Sequence, residues 1–422
     1  MMDIISSKNV INLIRKTLNL IDKRLIHHGE RISYILNKML VCENKYSTEE
    51  IFNFTIIGLL HDIGAYKTEE IDKMIQFETN GVFEHSIYGN LFLKYLSPLG
   101  DLAEIVLYHH MDYYKLKQLS TVYERVASYL NLADRVDVYF MHFKNASPDQ
   151  WIAFERNKFS KEALELLKRT DEKYKIFEHI RNKTYLDELN QIYSSVKFTP
   201  KDKEAYIKML IYSIDFRSEF TVMHTITTVS IADEIGKLMN LTDYERKILH
   251  YGAILHDIGK IATPVSILEA PRKLTENEMA IMKNHVKMSE FILNDYIHPD
   301  ILEIAIRHHE RLDGSGYHRG LTAKDLTLPQ RILAVSDVIS ALYGKRSYKE
   351  PFQKDTILNI LSKEAKEGKL CPFTIECVSK NFDEIMYNVT ENTAKPLKVY
   401  GDIKKKYEET YYQLLEFCKE KN

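Results

Sequence analysis

His256-Asp257, followed by His308-His309-Glu310-Arg311-Leu312-Asp313-Gly314-Ser315-Gly316-Tyr317, is the stretch that decides how this chain is read. Paired histidines set in apolar helical sequence, with His224 before them, His285 between them and Asp337 after them, are costly in a core unless something cationic satisfies them. The simplest such partner is a metal ion. Working outward, the same order occurs earlier in the chain. His28, Leu60-His61-Asp62-Ile63-Gly64, His85, His109-His110 and Asp134 answer to His224, Leu255-His256-Asp257-Ile258-Gly259, His285, His308-His309 and Asp337. The separations are 33, 24, 24 and 25 residues in the first copy and 32, 29, 23 and 29 in the second. Taken singly, a buried Asp often caps a helix and a lone His often bonds to backbone. The ordered set, met twice, argues instead for duplication of a whole domain.

Length agrees, since 422 residues exceed what one hydrophobic core usually serves. With 45% hydrophobic and 28% charged residues, 15 Gly and 10 Pro, and only weak strand signals, the expected fold class is all-α, two tandem helical domains. A turn at Thr199-Pro200-Lys201 sets the boundary, giving residues 1–198 and 199–422. Lys plus Arg number 58 against 60 Asp plus Glu, a formal net charge of -2, which excludes a global field drawing the chain onto nucleic acid or membrane. Cys42, Cys371, Cys377 and Cys418 form no CxxC, so neither a disulfide framework nor a thiolate zinc site is expected. The first 20 residues lack a signal-peptide pattern, and the apolar run Phe54 to Leu60 is too short for a bilayer. The expectation is a cytoplasmic protein without an anchor.

Residues 9 to 41 carry a helical stripe through Val10, Leu13, Leu20, Ile26, Ile32, Ile35 and Leu40. Glu49 to Leu60 reads as a helix running into the dyad, with Gly64 as a residue able to stop it. Asn145 to Val196, with Trp151, reads as a helical extension closing domain one. Ile403 to Glu420 reads as an amphipathic helix packing on its own domain or on a partner. The second copy is longer by five residues after the dyad and by four after the double His, where a substrate has room to be held. Gly314 and Gly316 permit positive φ and close approach to a ligand, although a plain surface turn fits that loop equally.

Imidazole and carboxylate together suit iron, manganese, nickel or zinc, and an Asp beside a His can bridge two ions. Two such ions activate a water between them and clamp phosphoryl oxygens during in-line displacement, with no protein nucleophile needed. Lys260, about one turn after the dyad, would neutralise charge or protonate the leaving oxygen. Its alternative reading is a solvated charge at a helix end.

These residues, together with the loop from His308 to Tyr317, resemble the HD-GYP family, the bacterial branch of the HD-domain metallophosphohydrolases that hydrolyses cyclic di-GMP. The resemblance spans about residues 200 to 365, and the first copy, about residues 20 to 140, resembles a general HD domain. It implies that His224, His256, Asp257 and Asp337 ligate one metal and Asp257, His285, His308 and His309 the other, with Asp257 bridging. It further implies Asp257 and Lys260 as catalytic, Lys260 on the scissile phosphate, Gly316 and Tyr317 lining the pocket, and Arg346 and Lys349 gripping phosphate and guanine. The implied cofactors are two divalent transition metal ions, iron or manganese, with two more in the N-terminal copy on His28, His61, Asp62, His85, His109, His110 and Asp134.

Three departures stand out. Gly316-Tyr317-His318 replaces Gly-Tyr-Pro; Ser340 stands where an Asp is usual, which puts a hydrogen bond behind the ligands in doubt; and Phe220 stands where some members carry a third-metal Glu. A two-metal site follows. Copy one has Ala65 where Lys260 stands, Met111-Asp112-Tyr113 where the Gly loop begins, and no basic loop after Asp134. It reads as a metal-bound domain that is regulatory or acts on another phosphate ester, or as inert duplicated scaffold.

The expected function is metal-dependent hydrolysis of cyclic di-GMP to linear pGpG and onward to GMP. The alternatives are a 3',3'-cyclic GMP-AMP phosphodiesterase and a catalytically weak cyclic-dinucleotide sensor. The expected partner is the cyclic dinucleotide, with no nucleic acid polymer and no membrane. A homodimer and a diguanylate cyclase or other signalling partner stay open.

Overall fold

A computed structural model of the chain describes all residues except 1–4, 21–25, 67–83, 144–157, 345–351 and 421–422. The described residues form helices joined by short 3-10 turns; their only strand-like pairing is an isolated bridge between Asp313 and Thr322. By contact the chain separates into two units, residues 10–209 with 402–422 and residues 1–9 with 210–401. No helix among the described residues is long and apolar enough to cross a membrane.

Each unit repeats one sequence of elements. In the first, helices His28–Glu43, Thr48–Leu60, Glu84–Leu96, Glu104–Leu107 and Glu124–His142 follow one another, with a 3-10 turn Ile63–Tyr66 after the second. In the other, Glu219–Leu238, Asp243–Leu255, His285–Leu293, Pro299–Ile306 and Leu328–Tyr343 correspond, with the 3-10 turn Ile258–Ala262. The dyad-bearing helix begins the same way in both copies. Ser47 and Glu50, and likewise Thr242 and Glu245, close a reciprocal capping box that satisfies amide groups with no partner inside the helix. Both of these helices end one residue before the dyad, so the ligand residues sit where the chain tightens from α to 3-10 geometry.

The cores follow the apolar stripes. Ile32, Ile35, Leu36, Met39 and Leu40 are fully buried on the first long helix of copy one. The expected stripe from 9 to 41 is split, however, into helices Ser7–Leu18 and His28–Glu43, and Ile26 is exposed rather than packed. The break is marked by His27 in the left-handed region, φ 63°, which no continuous helix accommodates. Of the expected extension at 145–196, Trp151 lies outside the described residues, while helices Lys161–Tyr174, Ile176–Arg181 and Tyr185–Ser194 form its remainder. Residues 402–422, expected with the C-terminal domain, group with the N-terminal unit instead. Tyr407 stacks on Tyr88 with ring centroids 4.2 Å apart, and Ile403 is fully buried.

Candidate active site

In the C-terminal unit the carboxylate of Asp257 has two faces. Oδ2 lies 3.1 Å from His256 Nε2 and 3.6 Å from His224 Nε2; Oδ1 lies 3.3 Å from His285 Nε2 and 3.9 Å from His308 Nε2. Asp337 repeats the division, with Oδ1 3.1 Å from His224 Nε2 and Oδ2 3.6 Å from His309 Nδ1. The ligand atoms thus form two adjacent clusters, His224, His256, Asp257 and His285, His308, His309. One carboxylate spans both.

The helices aim these rings. His256, His285 and His308 each hold Nδ1 at 2.7, 2.7 and 2.6 Å from the carbonyl oxygen three residues back, on Ala253, Met282 and Ala305. An imidazole donating Nδ1–H to a carbonyl keeps its lone pair on Nε2, and here Nε2 points inward. Burial lowers the pKa of His309 to about 3 and holds that of His308 well below its usual value, with His309 and His256 adding to the effect on His308. Burial would raise Asp257, but His256 and the Lys260 ammonium outweigh it and hold the carboxylate ionised. Neutral His308 and His309 near ionised Asp257 are in the form in which imidazole and carboxylate ligate a metal, whereas Asp257 raises the pKa of His256 against burial.

His256 Nε2 and Asp257 Oδ1 are buried without a hydrogen-bond partner, and so are His61 Nε2, His109 Nε2 and both oxygens of Asp62 in the other unit. An orphaned buried polar atom costs about 1–3 kcal/mol. A divalent cation would satisfy several at once, so the residues present fit such ions.

The N-terminal unit repeats the geometry. Asp62 Oδ2 faces His61 at 3.2 Å and His28 at 3.6 Å, while Oδ1 faces His85 at 3.7 Å and His109 at 3.8 Å. Asp134 Oδ1 lies 3.2 Å from His28, and Oδ2 lies 3.8 Å from His110. Behind His28 stands Asp137, 2.7 Å from Nδ1 and itself paired with Arg31. Burial opposes charge on His28, but hydrogen bonds to Asp134 and Asp137 outweigh it and raise the pKa to about 10.

Ser340 fills the place of Asp137 in the C-terminal unit. Its hydroxyl donates to the carbonyl of His224 at 3.0 Å, leaving a lone pair for His224 Nδ1 at 3.1 Å. The hydrogen bond put in doubt by the loss of the usual Asp is kept by a neutral acceptor, and His224 has a lowered pKa, burial being the main cause.

The surroundings of the two centres differ more than the centres do. A cavity of about 650 Å³ opens beside Asp257, Asp337 and His309, lined also by Lys260, Tyr317, Arg311 and Arg272. Beside His28, His61 and Asp62 the cavity is about 40 Å³, room for little more than a water. Arg15 and Leu18 help to line it, and Arg15 is bound to Glu30 and, at 2.7 Å, to Asn190.

Lys260 is not a solvated charge at a helix end. It sits in the pocket wall, largely buried, with its ammonium on Asp257 Oδ2. Tyr317 packs its ring 4.6 Å from that of His309. In the Gly loop, Gly314 has the positive φ of 82° that favours glycine. Gly316 is needed for close approach, since a Cβ there would lie 2.4 Å from Arg311 N. His318, in the place of Pro, bonds Glu290 at 3.1 Å, and the Arg319 guanidinium joins the same carboxylate. Glu310 accepts from the amides of Arg319 and Leu321 at 2.7 and 2.9 Å. Neither glutamate was singled out from the sequence, although Glu310 is adjacent to the double His. Arg346 and Lys349 lie outside the described residues, as does the Phe220 side chain.

Two HD-domain family models match the chain, one over residues 26–139 and one over residues 208–372. The 3'3'-cGAMP-specific phosphodiesterase 1 of Vibrio cholerae is 28% identical over 380 residues, 84% of this chain and 87% of that protein. The cyclic di-GMP phosphodiesterase response regulator RpfG of Xanthomonas campestris is 39% identical over 176 residues, 41% of this chain and 45% of that protein. A cyclic di-GMP phosphodiesterase of Thermotoga maritima is 35% identical over 175 residues, 40% of this chain and 47% of that protein. A solved structure of a cyclic GMP-AMP specific phosphodiesterase of V. cholerae (V-cGAP3) shares the fold, with a TM-score of 0.55 over 90% of this chain and 98% of that chain at 17% identity. With both copies matched, and the His308 to Tyr317 loop packed against the second centre, the chain belongs to the HD-domain family as a tandem of two HD domains, the second of the HD-GYP kind.

Proposed function

We propose that the C-terminal HD domain hydrolyses a cyclic dinucleotide, cyclic di-GMP in the first instance, to the linear dinucleotide. The observation that carries this reading is the two-faced Asp257 carboxylate lining a 650 Å³ cavity, a volume in the range of ligand pockets. Two divalent ions, iron or manganese by the imidazole and carboxylate donors, would supply an activated water and clamp the phosphoryl oxygens. His224, His256, Asp257 and Asp337 would hold one and Asp257, His285, His308 and His309 the other. Lys260, whose charge Asp257 favours against burial, stays protonated and stands ready to meet charge on the scissile phosphate. Tyr317 lines the pocket, Gly316 lets its loop close on the backbone of Glu310 and Arg311, and Arg346 and Lys349 would grip phosphate and guanine of the dinucleotide.

The second reading is 3',3'-cyclic GMP-AMP as substrate, favoured by a relative that matches 84% of the chain. The N-terminal domain, with a like ligand set, would hold metal, and the cavity of about 40 Å³ beside it among the described residues is too small for a dinucleotide. The free cysteines and the balanced charge suit a cytoplasmic location.

The test is chromatography of products from metal-loaded protein given either dinucleotide, with and without chelator. Linear product that disappears with chelator is expected, and the two rates rank the substrates. Two bound ions in the C-terminal domain with no product from either would replace this reading with that of a sensor. A second expectation concerns the support behind the ligands. Ser340→Ala removes the acceptor for His224 Nδ1 and should weaken metal retention about 10-fold to 100-fold in a chelator competition. Unchanged retention would show that the hydroxyl does not orient the ring.

A further inference from the structure

The pocket beside the C-terminal centre has a second stretch of wall, built by residues from Ile267 to Met282. Two cations on it, Arg272 and Lys273, line the cavity. Arg272 is fixed in place, since its two terminal nitrogens each lie 2.7 Å from an oxygen of Glu278. Glu278 in turn accepts from the amide and hydroxyl of Thr275 at 2.8 and 3.0 Å, in the capping box of helix Glu276–Lys283. The remaining pocket cations are also committed. Lys260 is on Asp257, and Arg311 donates to the carbonyls of His308 and Glu310. The Lys273 ammonium has no ion pair or hydrogen bond among the described residues, so its charge is unbalanced there, as is that of Arg311, which only backbone carbonyls meet.

The same cavity exposes apolar surface. Met223 and Met279, both lining it, are 40% and 41% exposed, so two flexible apolar side chains offer contact surface within the cavity. A ligand that places one phosphodiester at the two-metal centre still carries a second phosphodiester and two flat purines. Its needs are therefore a positive charge and apolar surface within one pocket.

We propose that Arg272 and Lys273 form a distal subsite for the second phosphodiester of the cyclic dinucleotide, with Met223 and Met279 against its purines. The inference rests on the reading of the C-terminal domain as a cyclic-dinucleotide hydrolase. Lys273 supplies the net charge. Arg272, already balanced by Glu278, supplies a held guanidinium whose flat face and spare N–H groups meet a purine or a phosphate oxygen.

The test compares metal-loaded full-length wild type with Lys273→Ala, Lys273→Glu and Arg272→Ala on two substrates. One is the cyclic dinucleotide; the other is bis(p-nitrophenyl) phosphate, which has one phosphodiester and no purine. Lys273→Ala should raise KM for the dinucleotide about tenfold, the scale of one lost charge-assisted contact, with Lys273→Glu further up and kcat held. Hydrolysis of the small diester should not change. An unaltered KM for the dinucleotide would overturn the subsite, and so would equal losses on both substrates, which would mark a structural role. If wild type cleaves the small diester but neither dinucleotide, the hydrolase reading fails. The subsite is then judged by equilibrium binding of a fluorescent cyclic dinucleotide, which is weakened by Lys273→Glu if the subsite exists and unaffected if it does not.

Discussion

Asp257→Ala should lower dinucleotide hydrolysis by at least about 10³-fold and strip metal from the C-terminal domain, whereas Asp62→Ala should strip metal from the N-terminal domain and leave hydrolysis within about twofold. The asymmetry follows from the cavities rather than from the ligands. Asp257 and Asp62 stand in near-identical shells, each with one oxygen toward either histidine cluster. Removing either leaves inward-facing imidazoles without the anion that balances a bound cation, so metal loss is expected in both. Among the described residues the cavity beside Asp257 measures about 650 Å³, room for a substrate, and the one beside Asp62 about 40 Å³. Asp257→Asn separates charge from shape, because it keeps the volume and one oxygen while removing the bridging charge. It should behave as Asp257→Ala does. The measurement is metal content by elemental analysis alongside product formation by chromatography. Wild-type turnover in metal-free Asp257→Ala protein would remove Asp257 from the mechanism. A matching loss in Asp62→Ala would mean that the N-terminal centre takes part in the reaction.

The ligand order was legible because the chemistry forces it to repeat. A His or Asp in an apolar stripe is conspicuous, and recurrence at similar separations from His28 to Asp134 and from His224 to Asp337 is hard to obtain otherwise. What the sequence could not carry is orientation. Nothing in His256-Asp257 tells that the two carboxylate oxygens look at different histidines; that depends on where helices His285–Leu293 and Leu328–Tyr343 come to rest. Ser340 was readable as a missing carboxylate, but not as a hydroxyl that returns the hydrogen bond by giving its own proton to the His224 carbonyl. The periodic stripe from residue 9 to 41 concealed a break because periodicity counts apolar positions and is blind to one left-handed residue at His27. The C-terminal helix was read as amphipathic without a partner face, and the partner, Tyr88, lies hundreds of residues earlier in the chain.

Gly64 and Gly259 show a different limit, and Gly259→Ala carries the largest expected effect on stability. Following the dyad at the end of an apolar helical run, Gly64 reads as a helix stop, and Gly259 holds the same place in the second copy. Yet neither has positive φ, and each lies within the 3-10 turn that follows the dyad. Their reason is contact. A Cβ on Gly259 would lie 1.9 Å from the carbonyl oxygen of His285 and 2.5 Å from the amide nitrogen of Ser289, and on Gly64 it would lie 2.0 Å from the carbonyl oxygen of His85. These neighbours are backbone atoms of a ligand-bearing helix, so no rotamer change relieves the clash. The helix must move by more than an ångström, breaking the 2.9 Å bond from Gly259 N to Ser289 Oγ and the 3.1 Å bond from Ser289 Oγ to the His256 carbonyl. Overpacking against backbone in a dense interior costs about 3 kcal/mol or more, which for a unit of this size is a fall in Tm of roughly 10 °C. Because His285 rides on the displaced helix, metal content should fall as well. Gly401→Ala is the control: no atom lies within 4 Å of its Cβ, and on a helix alanine is favoured over glycine by about 0.5–1 kcal/mol, so Tm should hold or rise. Calorimetry of the two variants decides the matter. If Gly259→Ala melts within about 2 °C of wild type, the turn and the helix are not locked together, and the dyad's place opposite His285 needs another explanation.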